Sequence, residues 1–199
     1  NLNKLLKKVD ITFKRQTSPK GLGDAILHAK NFANDEPVAI LLGDDFYLNT
    51  PTPALKQIID IYEKDKVCGV VGVEELSTEK IISKGMVIAN GRNIVKLVEK
   101  PKIEEVVSNL AISGRYVIDS KIFEKLESVK PSKRAEIELT DALQEMLDAG
   151  LKMKYCKVEG LRVDVGTPDE YIVAKMKYML SSNKRDQLIK LVNEFKEKL

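Results

Sequence analysis

Five short stretches of this 199-residue chain carry side chains that folding alone does not call for. Gly43-Asp44-Asp45 follows the apolar run at 38–42. A carboxylate there lies beyond the carboxyl end of a strand, where open α/β sheets bind ligands. It would suit Mg²⁺, which prefers hard oxygen donors and keeps several waters. Asp44, nearer the strand end, is favoured over Asp45, although a turn with a helix cap would read the same way. Val163-Asp164-Val165-Gly166-Thr167 sets an acid inside an apolar run, which is costly to bury unless paired or metal-bound; a cap or bend is the alternative. Val98-Glu99-Lys100-Pro101 closes another run. Its carboxylate suits sugar hydroxyls and its ammonium suits a phosphate, on opposite faces of a strand; a surface pair before a proline turn would look alike. Arg15-Gln16 and Lys20-Gly21-Leu22-Gly23-Asp24 stand at a helix entrance. Glycines there admit close backbone approach and a helix N-terminus favours anions, yet this is not a phosphate-loop pattern and also fits an ordinary loop. In the stretch at 134–141, charges alternate with apolar residues before a helix; Arg134 could reach a phosphate or simply be solvated.

The elements that must position these groups follow from periodicity. The run at 38–42 reads as a strand buried on both faces. A helix over 24–33 precedes it, with Ala25, Ile26, Ala29 and Phe32 on one face. A second helix follows from the Thr52-Pro53 start to about Lys64. The buried run at 67–73 then completes a right-handed βαβ unit of a parallel sheet. Strands at 86–89, 94–98 and 109–118 come next, the first two joined by Asn90-Gly91, a hairpin signal. Asp119 caps a short helix, another covers 139–149 and ends at Gly150, and 152–158 is a strand. Thr167-Pro168-Asp169-Glu170 is a capping box opening a helix to about Leu180. The stretch 184–199 is a last amphipathic helix with Leu188, Leu191, Val192 and Phe195 on one face. The expected organisation is one α/β domain with a mixed, mainly parallel sheet over 1–182 and a helical appendage over 183–199.

Composition narrows the class. Hydrophobic residues make up 43% and charged residues 32%, a balance that supports a packed core. Thirty-three Lys+Arg against 30 Asp+Glu leave +3, interleaved along the chain, which argues against nucleic acid as a partner. No apolar run reaches the ~18 residues of a membrane span. The Lys-rich first ten residues have no apolar stretch after them, so no secretory leader is expected and a cytoplasmic location is. Cys68 and Cys156 read as buried thiols rather than a disulfide framework. The single histidine, His28, sits mid-helix, which disfavours a His-based metal site or a Ser–His–Asp triad.

In this order the motifs resemble one family, the bacterial and archaeal UTP–glucose-1-phosphate uridylyltransferases (UDP-glucose pyrophosphorylases) among the sugar-phosphate nucleotidyltransferases. The match is carried by Arg15-Gln16 with Lys20-Gly21-Leu22-Gly23, Leu42-Gly43-Asp44, Lys84-Gly85-Met86-Val87, Val98-Glu99-Lys100-Pro101-Lys102, the stretch 108–116, Glu136-Ile137-Glu138-Leu139-Thr140-Asp141 and Asp164-Val165-Gly166. Of these, 108–116 is the most specific, and the match covers about 10–180. The resemblance implies a Rossmann-like nucleotide-diphospho-sugar transferase fold. It implies Mg²⁺ on Asp44 and Asp164, and the uracil edge read by Gln16 and Gly21. It implies the sugar at Gly85, Glu99, Asn109 and Tyr116, the sugar phosphate at Lys100, and a further contact at Arg134. The implied reaction is UTP with glucose 1-phosphate giving UDP-glucose and pyrophosphate. A thymidylyl- or guanylyltransferase acting on another hexose 1-phosphate, and a non-catalytic sugar-nucleotide-binding subunit, are the other readings. The family's glycine-rich G-x-G-T-R-x-x-P-x-T-K loop has no counterpart in these residues. The expectation is therefore an N-terminally truncated chain with an exposed apolar sheet edge and little turnover alone. It would be a fragment, or would act as a homo-oligomer or with a partner chain supplying that segment.

Overall fold

Apolar runs become strands, and polar punctuation sets where they stop. The computed structural model describes residues 4 and 6–196. In chain order these form α1 (Leu22–Leu27), α2 (Lys30–Ala33), β1 (Val38–Leu41), β2 (Asp45–Leu48), α3 (Ala54–Asp65), β3 (Gly69–Glu75), α4 (Thr78–Ile81), β4 (Gly85–Asn90) and β5 (Asn93–Glu99). A 3₁₀ turn at Ile103–Glu105 leads to β6 (Leu110–Ile118), α5 (Ile122–Ser128), α6 (Leu139–Asp148), β7 (Met153–Lys157), β8 (Leu161–Asp164), α7 (Pro168–Leu180) and α8 (Arg185–Lys196). Residues 197–199, part of the expected last helix, lie outside the described residues.

The main sheet runs β1-β6-β3-β7-β5-β4, and β4 also pairs with β6. Its mixed character is as expected, and β1 and β3 run in the same direction as the βαβ reading requires, but they are not neighbours. β6 lies between β1 and β3 and runs antiparallel to both. Of the six strand pairings in this sheet only β3–β7 is parallel. The run at 38–42 is also not buried on both faces. β1 pairs with β6 on one side, no other described strand flanks it, and Leu41 is 51% exposed. β3 and β6 are the doubly buried strands, because helices cover both sides of them. α6 contributes Leu139, Ala142, Leu143 and Met146 to the same core as Val71, Val73 and Ile118. α3 sets Ile58 on the other face, against Val70 and Val117. That division follows the two-residue period of a strand.

Local signals behave as their chemistry dictates, with three exceptions, the first being the Thr52-Pro53 start, where α3 begins at Ala54 with Pro53 instead of Thr52 at the N-cap. Asn90 and Asn93 face each other across the β4–β5 turn, whose first central residue, Gly91, has φ 58°. Thr167 accepts the Glu170 N–H at 3.2 Å, with Pro168 opening α7. The Asp119 carboxylate accepts the Lys121 N–H, and Gly150 leaves α6 in a left-handed conformation. The helix expected over 24–33 instead divides into α1 and α2. At the break the Ala29 N–H reaches Ile26 O in a tighter turn, and the His28 ring engages Asp24 O at 2.7 Å. Phe32 consequently stands 61% exposed. The strands β2 and β8 were not expected; they form a separate antiparallel pair. Among the described residues no helix is long and apolar enough to cross a membrane.

Leu143 is fully buried between α6 and the sheet. Leu143→Ala should lower the unfolding free energy by about 2–5 kcal/mol, read from urea denaturation. Lys190→Ala, on the exposed face of α8, should stay within about 0.5 kcal/mol of the parent. Equal midpoints for the two variants would contradict this packing.

Candidate active site

The β2–β8 pair does the positioning. Its register sets Asp45 opposite Asp164, and the Val165 N–H donates to Asp44 O at 2.9 Å. Two acidic segments about 120 residues apart in the chain are thereby held side by side. The point where a Cβ on Gly166 would sit is 3.1 Å from Asp164 Oδ1, 3.6 Å from Asp44 Oδ2 and 3.8 Å from Glu170 Oε2. Asp44 and Asp164 therefore address one small volume, lined by hard oxygens and without a side chain of its own. Among the described residues no cluster of three His, Cys, Asp or Glu forms a cage that could hold a metal by itself. A two-carboxylate locus still fits Mg²⁺, which commonly takes one or two carboxylates and completes its shell with water and phosphate oxygens.

The neighbouring Asp45 differs sharply from Asp44. Asp44 is exposed, whereas Asp45 is buried and ion-paired to Arg162. Burial pushes the Asp45 carboxyl up to about 6, with Arg162 pulling the other way. Its side chain fits over Gly114, whose φ is 68°; a Cβ there would overlap the carboxylate. Arg115 fixes the loop before β2, donating to Leu42 O at 3.0 Å and Gly114 O at 2.9 Å and reaching Asp45 O. Arg162 also meets Glu74 at 2.6 Å and Asp164 at 3.1 Å. Asp164 additionally accepts from Lys84 Nζ at 2.7 Å and from the Gly166 N–H at 2.9 Å. Burial pushes its carboxyl up, but these donors together hold it below the ordinary value.

These groups open onto a cleft of about 270 Å³, whose lining includes Asp44, Asp164, Lys84, Gly85, Glu99, Lys100 and Tyr116. Strand alternation would put Glu99 and Lys100 on opposite faces, yet both line this cleft. Lys100 has left the strand with φ 44°, an uncommon conformation for a residue with a side chain, and its N–H is held by Lys84 O at 3.0 Å. Glu99 is oriented by the Thr140 hydroxyl, which donates to it at 2.6 Å. Gly85 sits opposite Glu99, where a Cβ would press on Ile112. Tyr116 is buried and its phenol is pushed up by burial, so it stays protonated.

Four expected residues do not line the cleft. Gln16 donates to Gly21 O and Asp24 Oδ2, clamping the turn into α1. Gly21 has φ 97° and abuts the 136–137 backbone, and only its neighbour Leu22 reaches the cleft. Asn109 is exposed, with its carbonyl accepting the Leu76 N–H. Arg134 lines an adjacent pocket beside Glu99 and Lys100, engaged by Glu138 at 2.6 Å and Glu99 at 3.7 Å. Conversely, Arg162 and Lys84 were missed as site residues. Arg162 lies two positions before Asp164, so reading 161–164 as a strand would have placed both on one face.

The profile of the Nucleotidyl transferase family matches residues 2–181. The chain belongs to this family. Among curated nucleotidyl transferases it is 39% identical over 186 residues to the UTP–glucose-1-phosphate uridylyltransferase of Bacillus subtilis. It is 36% identical over 179 residues to that of Pseudomonas aeruginosa. The alignments take in 90% and 87% of this chain, and in both cases it spans 63% of the relative's length. A crystal structure of a UDP-glucose pyrophosphorylase complexed with UDP-glucose superposes with a TM-score of 0.84 at 33% identity, covering 91% of this chain and 70% of that one. The α/β fold and mixed sheet are those of this nucleotidyl transferase group.

Asp45 gives the site a pH signature. A folded-state value near 6, above the ordinary 3.8, means that the fold binds this proton more tightly than the unfolded chain does. Its contribution to stability is full below about pH 4 and is lost as pH rises through 6. Asp45→Asn should flatten the fall in unfolding free energy between about pH 4 and 7, measured by urea titration across that range. An unchanged slope would contradict the assignment.

Proposed function

We propose that this chain forms the sugar-phosphate and cation-binding part of a UTP–glucose-1-phosphate uridylyltransferase site. The reaction transfers UMP from UTP to glucose 1-phosphate, in the cytoplasm and with Mg²⁺. An oxygen of the sugar phosphate attacks the α-phosphorus of UTP, the bond to the β-phosphate breaks, and pyrophosphate leaves. Both reactants are anions, so the barrier is dominated by bringing negative charges together, and positioning with charge neutralisation supplies the catalysis.

The observation that carries the reading is the convergence of Asp44, Asp164, Glu99 and Lys100 on one cleft. The names of the matched relatives point the same way. Lys100 would neutralise the sugar phosphate, and the left-handed turn that aims it is the strain expected where a side chain is held for function. Glu99, held by Thr140, would accept from sugar hydroxyls, with Gly85 on the cleft wall beside it and Tyr116 donating from its protonated phenol. Asp44 and Asp164 would hold Mg²⁺, which when bound neutralises the phosphates. Asn109 would reach the sugar and Arg134 a phosphate only after leaving their present surroundings. Gln16 and Gly21 would frame the uracil edge from the entrance to α1.

The glycine-rich pattern that the resemblance assigns to the triphosphate does not occur in these 199 residues. Binding of UDP-glucose is therefore the direct readout, ahead of turnover. By calorimetry with Mg²⁺ present, Lys100→Ala should weaken UDP-glucose by about tenfold or more, the scale of a hydrogen bond to a charged group. The parent should prefer UDP-glucose to dTDP-glucose. Affinity unchanged by Lys100→Ala would overturn the assignment of the sugar phosphate.

A further inference from the structure

Two cations share one oxygen of Asp164, and they are held very differently. Arg162 approaches Oδ2 at 3.1 Å, but it is also bound by Asp45 and by Glu74 at 2.6 Å, and its side chain is only 10% exposed. It cannot leave without stranding a buried charge. Lys84 approaches the same Oδ2 at 2.7 Å, and Asp164 is the partner of its ammonium. Its backbone is fixed at both ends, its N–H donating to Ile81 O at 2.8 Å and its carbonyl accepting from Lys100 at 3.0 Å. Its side chain stands in a wall with space on both sides. It lines the cleft described above and also a second one, of about 400 Å³, bounded by Glu79, Glu170 and Lys177. A compact charge on a flexible four-carbon stem, with open volume to either side, is free to swing.

We propose that Lys84 is a displaceable internal counter-ion of the cation locus. From Oδ2 it neutralises the carboxylate whose Oδ1 faces the volume shared with Asp44, and it is driven off when a divalent cation takes that carboxylate. Asp164 stays charged and oriented while the locus is empty of metal, and cation affinity is set by the competition with the ammonium. Arg162 is the fixed strut of the pair and Lys84 the exchangeable one, a positioning residue rather than a catalytic one. The inference rests on the reading of Asp44 and Asp164 as cation ligands. It assigns to Lys84 a role that the uridylyltransferase chemistry itself does not require.

The test is Mn²⁺ binding to the 199-residue chain without nucleotide, followed by the electron paramagnetic resonance of free Mn²⁺. Removing the competing charge in Lys84→Met should tighten Mn²⁺ by about two- to fivefold, the scale of a partly exposed ion pair. Lys84→Arg, which keeps the charge, should bind as the parent does. Asp164→Asn should abolish binding in both the parent and the Lys84→Met background. Lys84→Gln carries the same expectation should Lys84→Met fail to give the parent's circular dichroism. Binding lost with Asp164→Asn but unchanged or weakened in Lys84→Met would overturn the role of Lys84 and leave the cation locus standing. Binding indifferent to Asp164→Asn in both backgrounds would overturn both.

Discussion

A nearly buried guanidinium holds the site together. Arg162 lies among Asp45, Glu74 and Asp164, which come from the starts and ends of three different strands. Taking that charge out of water costs several kcal/mol, and only close, multiple partners offset it. Three carboxylates around one guanidinium meet the condition, and in doing so they fix β2, β3 and β8 relative to one another. The excess negative charge of the cluster is offset in turn by Lys84 on Asp164.

Around this cluster, backbone features carry the geometry outward. Gly114 leaves room for the Asp45 carboxylate, and Arg115 gathers the carbonyls of the loop that presents Asp44. Asp45 is thus spent on the scaffold, and Asp44 is left exposed beside Asp164. On the opposite wall the left-handed turn at Lys100 swings an ammonium into the same cleft as Glu99. The Lys84 carbonyl holds that turn, so the two lysines of the cleft share one backbone link. The cleft lies where the two-stranded sheet meets the six-stranded one, and both sheets are needed to build it.

Much of this was legible from residue types. The apolar runs at 67–73 and 109–118 became the doubly buried strands, and the caps at Thr167 and Gly150 and the turn at Gly91 fell where their chemistry requires. Asp44 and Asp164 could be paired in advance only through the resemblance, since sequence spacing says nothing about two segments joined by a β2–β8 register. Strand order was not legible either. The run at 38–42 is as apolar as a central strand, but its neighbours are chosen by tertiary packing, which sets β6 between it and β3. The 24–33 stretch kept its helical periodicity yet broke at His28, where a ring nitrogen competes for a helix carbonyl. Arg162 went unnoticed because a lone arginine has no meaning until 161–164 is known to be extended. The side on which Lys100 points depends on a single backbone dihedral that strand alternation does not foresee.

The central claim is that Asp44 and Asp164 hold one divalent cation beside a bound sugar nucleotide. Anomalous diffraction from crystals grown with Mn²⁺ and UDP-glucose tests it most directly. The account predicts one strong peak within coordination distance of both carboxylates, with the diphosphate beside it and the Lys84 ammonium withdrawn from Asp164. A peak remote from either carboxylate, with Lys84 still seated on Asp164, would contradict it.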